Sequence, residues 1–247
     1  MNEVTFIFVE GRTEKRLLKQ VGCPENVIID CNGTPNIPIV IESILGPYLN
    51  NNHSIKILIM RDRDSKETHD SIIRSFGSIF DYLLRGSNVS HPSFQPHQEF
   101  KNLYTMNISS ANFRVALHIA APPPIKNIKK FASDTIDGYI FVLAMMENVL
   151  QRFAKEAKIT PGVLRIKVLD KVPELAMQNG IEFNQAKDYL GVYMAMSKFL
   201  TVKRNDEADV FSGIVAARAK RYETDSFRDV LRSIQAALQF IDIEVDI

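Results

Sequence analysis

The segment Val4-Thr5-Phe6-Ile7-Phe8-Val9-Glu10-Gly11-Arg12-Thr13-Glu14-Lys15 decides the fold class of this chain. Its first six residues are mostly β-branched or aromatic, which predicts a buried strand, and a helical pattern follows from Arg12. Glu10 lies where the strand would end and the helix would begin. Ligands of open α/β sheets bind beyond the carboxyl ends of the strands, so Glu10 is expected at a ligand-binding edge.

A second predicted strand, 55–60, ends in a similar way, in Arg61-Asp62-Arg63-Asp64. Alternate residues of an extended segment point to the same side, so Asp62 and Asp64 can face one cation together. The two arginines would then point the opposite way and balance charge or hold phosphate. The same acids also suit the N-terminus of a helix beginning at Ser65, where they interact favourably with the helix dipole. The triplet by itself leaves both interpretations open.

The rest of the chain alternates strand and helix patterns and then becomes helical. Strands are predicted at 4–9, 27–30, 55–60, 100–108 and 113–120, helices at 12–21, 35–49 and 65–84, and a surface loop at 85–99. This order predicts an α/β fold in residues 1–124, with a mostly parallel, Rossmann-like sheet flanked by helices. Residues 125–247 are expected to form a helical C-terminal part, packed on the sheet domain or continuous with it, with helices at 137–158, 184–202, 208–221 and 226–241. The segment 164–169 fits a strand and a helical turn equally well.

Composition and charge restrict the function. The chain has 247 residues, 30 Lys and Arg against 29 Asp and Glu, and a formal net charge of +1. It has no overall basic field, so a nucleic-acid partner needs local basic patches, for which the candidates are 126–130, 203–204 and 218–221. Cys23 and Cys31 form no metal-ligand or disulfide pattern. With no leader pattern and no apolar run long enough to span a membrane, we expect a cytoplasmic protein without a membrane partner.

Clustered carboxylates at a sheet edge favour a divalent cation. Unpaired acids that lie close together repel one another and raise each other's pKa, and a cation removes this cost. The ligands would be hard carboxylate oxygens, with no Cys or His at ligand spacing, which favours Mg²⁺ or Mn²⁺. Glu14, four residues after Glu10, is a further candidate ligand. It also fits the first turn of a helix, where acidic residues are favoured.

The strand-end motif Val9-Glu10-Gly11-x-x-Glu14, followed by a later strand ending in Asp62-x-Asp64, resembles the Toprim domain. This domain is shared by topoisomerases, bacterial primases, small ribosomal-RNA maturases and the overcoming-lysogeny-defect (OLD) nucleases. The resemblance covers roughly residues 4–145. It is closest to OLD-type and stand-alone Toprim proteins, whose motif has a second acid four residues after the Glu.

The resemblance implies metal-dependent phosphodiester chemistry with one or two Mg²⁺ or Mn²⁺ ions. Glu10, Asp62 and Asp64 would be metal ligands or general acid/base groups, with Glu10 and Asp62 catalytic, and Glu14 would bind a second metal. One cation would activate water or position the attacking oxygen, and the other would stabilise charge on the phosphate and the leaving oxygen.

OLD-type enzymes also use acids at the start of a later helix and a downstream lysine. Asp134 and Asp137 are the candidate acids, and Asp137 is the one assigned to the metal. Both also fit the start of a helix as ordinary cap residues. Lys187, ahead of Lys198, is the candidate for the catalytic lysine that stabilises the transition state.

Arg12, Arg61 and Arg63 complete the expected site as residues that bind the substrate, a DNA or RNA phosphodiester. The chain lacks the Gly-x-x-x-x-Gly-Lys-Ser/Thr loop of the OLD ATPase, topoisomerase-length strand-passage domains and the zinc-binding cysteines of bacterial primases. The first hypothesis is therefore a stand-alone, nuclease-like Toprim protein. The alternative is a non-catalytic, metal-binding Toprim module in a DNA- or RNA-processing or defence system. Both hypotheses are compatible with a homodimer.

Overall fold

The computed structural model describes residues 2–49, 53–85, 92–125, 128, 131–197 and 207–245. The chain divides into two compact units. The first comprises residues 1–120 and 232–246, and the second comprises residues 121–231 with residue 247. The basic segment 203–204, most of the segment 126–130 and the end of the predicted helix 184–202 lie outside the described residues.

The N-terminal segment folds as its pattern predicts. Strand β1 (Glu3–Val9) becomes more buried along its length, and its last three residues have no exposed surface. Helix α1 (Arg12–Val21) starts after Gly11, which is extended (φ −164°). Gly22 ends α1 in the left-handed region (φ 97°), a conformation that glycine adopts without strain. Glu10 therefore lies in the short connection between a buried strand and a helix.

Within the described residues, six strands form one sheet in the order β2-β1-β3-β6-β5-β4. The later strands are β2 (Ile28–Asp30), β3 (Ser54–Arg61), β4 (Gln95–Pro96), β5 (Leu103–Ile108) and β6 (Phe113–Ile119). Strands β2, β1, β3 and β6 pair in parallel, whereas β5 pairs antiparallel with β6 and β4 antiparallel with β5. The predicted α/β fold with a mostly parallel sheet is confirmed.

Helices α2 (Ile37–Leu49) and α3 (His69–Leu83) cover one face of the sheet. Their apolar side chains share one core cluster with alternate residues of the central strands, such as Ile57 of β3 and Val115 of β6. Because strand side chains alternate, the neighbours of these residues point to the other face.

The opposite face is covered by α1 and by the end of helix α10 (Thr224–Phe240). The connections β1-α1-β2 and β2-α2-β3 run in opposite directions across the sheet, and right-handed crossovers then place α1 and α2 on opposite faces. His118 Nε2 of β6 lies 2.9 Å from Ser233 Oγ of α10, and Arg114 donates to the Phe240 carbonyl at 3.3 Å. The end of the C-terminal helix is thus part of the sheet unit.

The start of α3 and the loop before β5 differ from the prediction. Helix α3 begins at His69 rather than Ser65, because Thr68 forms its N-terminal cap. The Thr68 hydroxyl accepts a hydrogen bond from the Ser71 N–H, and the Ser71 hydroxyl accepts one from the Thr68 N–H. The predicted surface loop 85–99 contains the short edge strand β4.

The second unit is helical in its described part. Its helices are α4 (Ile136–Ala144), α5 (Glu147–Glu156), α6 (Pro161–Ile166), α7 (Val172–Gln178), α8 (Ala186–Met196) and α9 (Glu207–Tyr222), together with the first part of α10. The single predicted helix 137–158 is two helices, since α4 ends before Met145. The ambiguous segment 164–169 is helical and runs from α6 into a π-helical turn at Lys167–Lys171. In the described part of the chain, no helix combines the length and the apolar character needed to cross a membrane.

Candidate functional site at the sheet edge

The carboxyl ends of β1 and β3 meet where the direction of the strand order reverses. From β1 the chain crosses to β2 on one side, and from β2 it crosses back over β1 to β3 on the other side. Such a switch point opens a crevice beyond the strand ends, where open α/β proteins bind ligands. Phe8 is aligned with Ile59 across the two strands, so Glu10 and Asp62 both come to this edge.

Hydrogen bonds join Glu10 to the end of β3. Glu10 Oε1 accepts one from the Asp62 backbone N–H at 3.0 Å and another from Arg61 Nη1 at 2.6 Å. Arg61 Nη1 also donates to the Asp62 carbonyl at 2.5 Å. Both side chains of the ion pair are largely buried, with 16% of Glu10 and 6% of Arg61 exposed. Glu10 and Asp62, which the sequence predicts to be neighbours, are thus in contact through the Asp62 backbone N–H. The buried guanidinium of Arg61 lies beside them.

Glu67 organises the loop after β3, although no sequence motif marks it. Its carboxylate accepts hydrogen bonds from Arg61 Nη2 at 2.8 and 2.9 Å and from the Asp64 N–H at 3.0 Å. Its carbonyl accepts one from Arg63 Nη1 at 3.2 Å. Arg61 therefore binds Glu10 with one nitrogen and Glu67 with the other.

The interpretation of Asp62 and Asp64 as caps of α3 is wrong. Thr68 caps that helix, and Asp64 begins a separate turn that the Glu67 N–H closes by donating to the Asp64 carbonyl at 3.0 Å. Asp62 is half-buried and Asp64 is exposed. Both acids therefore follow the end of β3 and precede the cap of α3.

The end of β2 fixes the backbone on the other side of Glu10. The Cys31 N–H donates to the Val9 carbonyl at 3.0 Å, and the Gly33 N–H donates to the Glu10 carbonyl at 2.7 Å. Gly33 has a φ of 111°, where a side chain would be strained. Burial, followed by the charge of Asp30, raises the pKa of the Cys31 thiol to about 11. Cys31 is thus a protonated thiol at neutral pH and not a nucleophile.

Glu14 lies beside Gly11, the residue that follows Glu10. It is in the first turn of α1 and is 5% exposed, whereas Arg12 is exposed at the start of the same helix. Glu14 Oε2 is 3.8 Å from the position that a Cβ on Gly11 would occupy. This placement agrees with an acid stabilised by the N-terminus of the helix. A role for Glu14 at a second metal stays a prediction.

Asp137 and Lys187 belong to the second unit. Asp137 is in the first turn of α4, and Lys187 is exposed in the first turn of α8. Burial raises the pKa of Asp137, and the charge of Lys187 opposes this shift. The two residues are therefore electrostatic neighbours, while their predicted roles at a metal and in catalysis stay predictions, as does the role of Asp134. Lys198 lies outside the described residues.

Arg218, the first residue of the candidate basic patch 218–221, makes contacts within the second unit. Arg218 Nη2 lies 2.7 Å from Glu156 Oε1, and its guanidinium lies 4.1 Å from the centre of the Phe153 ring. These contacts pack α9 against α5 through an ion pair and a cation–π interaction. Arg218 therefore stabilises the helical unit.

As they are arranged, the described side chains do not form a metal centre. No group of three or more His, Cys, Asp or Glu that could hold a metal ion occurs among them. The carboxylate oxygens of Glu10 and Asp62 are suitable donors for Mg²⁺. However, Glu10 Oε1 already accepts hydrogen bonds from Arg61 and from the Asp62 N–H. The Mg²⁺ or Mn²⁺ site stays a prediction, and a cation bound to Glu10 would lie beside the buried Arg61 guanidinium.

Comparisons of the chain with protein-family models, with curated proteins and with solved structures found no match. The resemblance to the Toprim domain therefore rests on the two strand-end motifs and stays a prediction. The site is thus defined by its position at the switch point and by the contacts among Glu10, Arg61, Asp62 and Glu67.

Proposed function

We propose that the crevice between the ends of β1 and β3 binds a phosphodiester of DNA or RNA and hydrolyses it with the help of Mg²⁺ or Mn²⁺. The observation that carries the proposal is the hydrogen bond from the Asp62 N–H to Glu10 Oε1, 3.0 Å long. It joins two acidic strand ends at the position where open sheets bind ligands. The Toprim-like order and spacing of the acids support the same chemistry.

The chain supplies candidate groups both for binding the phosphate and for activating the attacking water. Arg12 at the start of α1 and Arg63 in the loop after β3 carry the positive charge that a phosphate requires. Asp62, half-buried at the crevice, is the candidate general base for the attacking water. Glu10 and Asp64 are candidate ligands of the Mg²⁺ or Mn²⁺ ion, which would stabilise charge on the phosphate.

Cleavage assays with two variants test this proposal. We expect purified protein to cleave single- or double-stranded DNA or RNA only when Mg²⁺ or Mn²⁺ is present. Glu10→Gln and Asp62→Asn should each lower the rate by about 100-fold or more, the usual effect of losing an acid/base group. Glu25→Gln is the matched control, because Glu25 is an exposed acid of the same unit whose nearest ion-pair partner is Lys19 at 2.5 Å. A wild-type protein that cleaves none of these substrates contradicts the proposal.

A specific contact favours the second candidate function, a non-catalytic module. The Arg61–Glu10 pair already neutralises an acid that hydrolysis would use. A module of this kind would bind nucleic acid through Arg12 and Arg63 without turnover. Fluorescence anisotropy with labelled DNA and RNA, at several salt concentrations, measures such binding directly. Binding that persists in Asp62→Asn, together with no cleavage by the wild type, would identify this function.

A further inference from the structure

The acidic edge of the sheet, formed by Glu10, Asp62, Asp64 and Glu67, contains the positive charge of Arg61. Its side chain is 6% exposed, and its nitrogens lie 2.6 Å from Glu10 Oε1 and 2.8 Å from Glu67 Oε1. An arginine this deeply buried requires compensation of its charge, and here two carboxylates provide it. The chain itself therefore relieves the repulsion that clustered acids would otherwise experience.

Arg61 and a divalent cation would compete for the carboxylate of Glu10. Glu10 Oε1 accepts a hydrogen bond from Arg61 Nη1 and another from the Asp62 N–H. A metal ion bound to either oxygen of this carboxylate would lie within a few ångströms of the guanidinium charge, where like charges repel strongly in a partly buried site. The metal–Glu10 contact and the Arg61–Glu10 contact therefore oppose each other.

Glu67 gives Arg61 a place to remain after it leaves Glu10. Arg61 Nη2 is bound by both Glu67 oxygens, at 2.8 and 2.9 Å, and the Asp64 N–H holds one of those oxygens in place. A movement of the guanidinium about this contact would separate Nη1 from Glu10 and from the Asp62 carbonyl, while the charge of Arg61 stays paired. Displacement would therefore break one ion pair and one backbone hydrogen bond and keep the other ion pair.

We propose that Arg61 is a positioning residue that sets the divalent-cation affinity of this edge. The cation displaces Arg61 from Glu10, and Glu67 retains the displaced guanidinium. The inference rests on the proposed function in one respect, that the edge takes a cation, and it does not require turnover. The guanidinium repels a divalent cation bound a few ångströms away in this partly buried site. Removal of Arg61 should therefore tighten Mn²⁺ binding by about tenfold or more.

The test is a titration with Mn²⁺ alone, in which electron paramagnetic resonance counts the free ion. Arg61→Gln should bind Mn²⁺ about tenfold more tightly than the wild type, or should bind it where the wild type does not. The double variant Arg61→Gln/Glu10→Gln should lose that gain, since residue 10 is then no longer a carboxylate. Arg74→Gln is the matched control, because it removes an exposed arginine of the same unit and should leave the affinity unchanged.

Arg61→Lys keeps the inference testable if Arg61→Gln does not fold. A lysine keeps the positive charge, but its single nitrogen cannot reproduce the two-sided contact with Glu10 and Glu67, so its Mn²⁺ affinity should exceed that of the wild type. Equal or weaker binding by Arg61→Gln, or by Arg61→Lys where only that variant folds, overturns the inference. Absence of Mn²⁺ binding in every variant overturns it too. A tighter-binding variant that cleaves no nucleic acid refutes the proposed hydrolysis and leaves the role of Arg61 standing.

Discussion

Acidification should destabilise the sheet unit through His118. This side chain is fully buried, and its Nε2 lies 2.9 Å from Ser233 Oγ and 3.1 Å from Asn102 Nδ2. Asn102 Nδ2 also donates to the Ile119 carbonyl at 2.9 Å, so the neutral imidazole accepts at Nε2 within a polar group enclosed by sheet and helix. Burial lowers the pKa of His118 to about 3, well below the ordinary value of 6.5.

The sign and the size of the effect follow from this lowered pKa. The folded state prefers the neutral imidazole, whereas the unfolded state binds a proton below about pH 6.5. The free energy of unfolding is therefore highest above pH 6.5, falls as the pH drops below that value, and stops falling near the folded pKa of about 3. The loss is about 1.4 kcal/mol per pH unit for one proton, which amounts to about 2 kcal/mol between pH 6.5 and about pH 5.

Urea unfolding of the wild type and His118→Gln, each at pH 7.5 and 5, measures this effect. Glutamine does not titrate, so the wild type should lose about 2 kcal/mol more than the variant on acidification. His97→Gln, a change at a half-buried histidine near the edge strand, is the matched control and should leave the loss caused by His118 in place. Equal losses in the wild type and His118→Gln would refute the view that His118 stays neutral in the fold.

Three further changes should alter the stability measured by the same denaturation. Gly138→Ala should cost about 1 kcal/mol or more, because its Cβ would lie 2.5 Å from Pro122 Cγ and this overlap outweighs the gain in helix propensity. Gly191→Ala should instead stabilise by about 0.5–1 kcal/mol, since a Cβ there meets open space within α8. Asp242→Asn should cost about 1–2 kcal/mol at neutral pH, because buried Lys56 then keeps only Glu3 of its two acidic partners. Each prediction fails if the unfolding midpoint moves in the opposite direction.

The sequence was sufficient to predict the parallel strands and their acidic ends. Continuous apolar runs in β1 and β3 are typical of strands buried on both faces, and they carry this information locally. Parallel strands end at the same edge, so the proximity of Glu10 and Asp62 followed from the fold class. The contact between them in the structure runs through the Asp62 backbone N–H, a detail that side-chain alternation does not predict.

Specific side-chain contacts account for what the sequence did not predict. Glu67 pairs with Arg61 in a turn, where no periodic pattern indicates which acid an arginine will contact. The end of α10 contacts the sheet through Ser233, and Asp242 just after it pairs with Lys56 of β3, whereas the amphipathic pattern of the helix fits packing against a sheet or a bundle equally well. The start of α3 was placed too early because Ser65 and Thr68 are both acceptable caps, and only the Thr68–Ser71 contacts select one.

The Arg61 contacts weaken the inference from acidic strand ends to a bound metal ion. A divalent cation was expected because clustered carboxylates repel one another, yet Arg61 relieves that repulsion by binding Glu10 and Glu67 at 2.6 and 2.8 Å. The acids alone therefore do not require a metal for the fold to be stable. What still favours a ligand is the position of these charges at the switch point, since a buried ion pair could stabilise a protein anywhere. A guanidinium in that position holds the acids together without a metal, and we expect a divalent cation to bind there only against its charge.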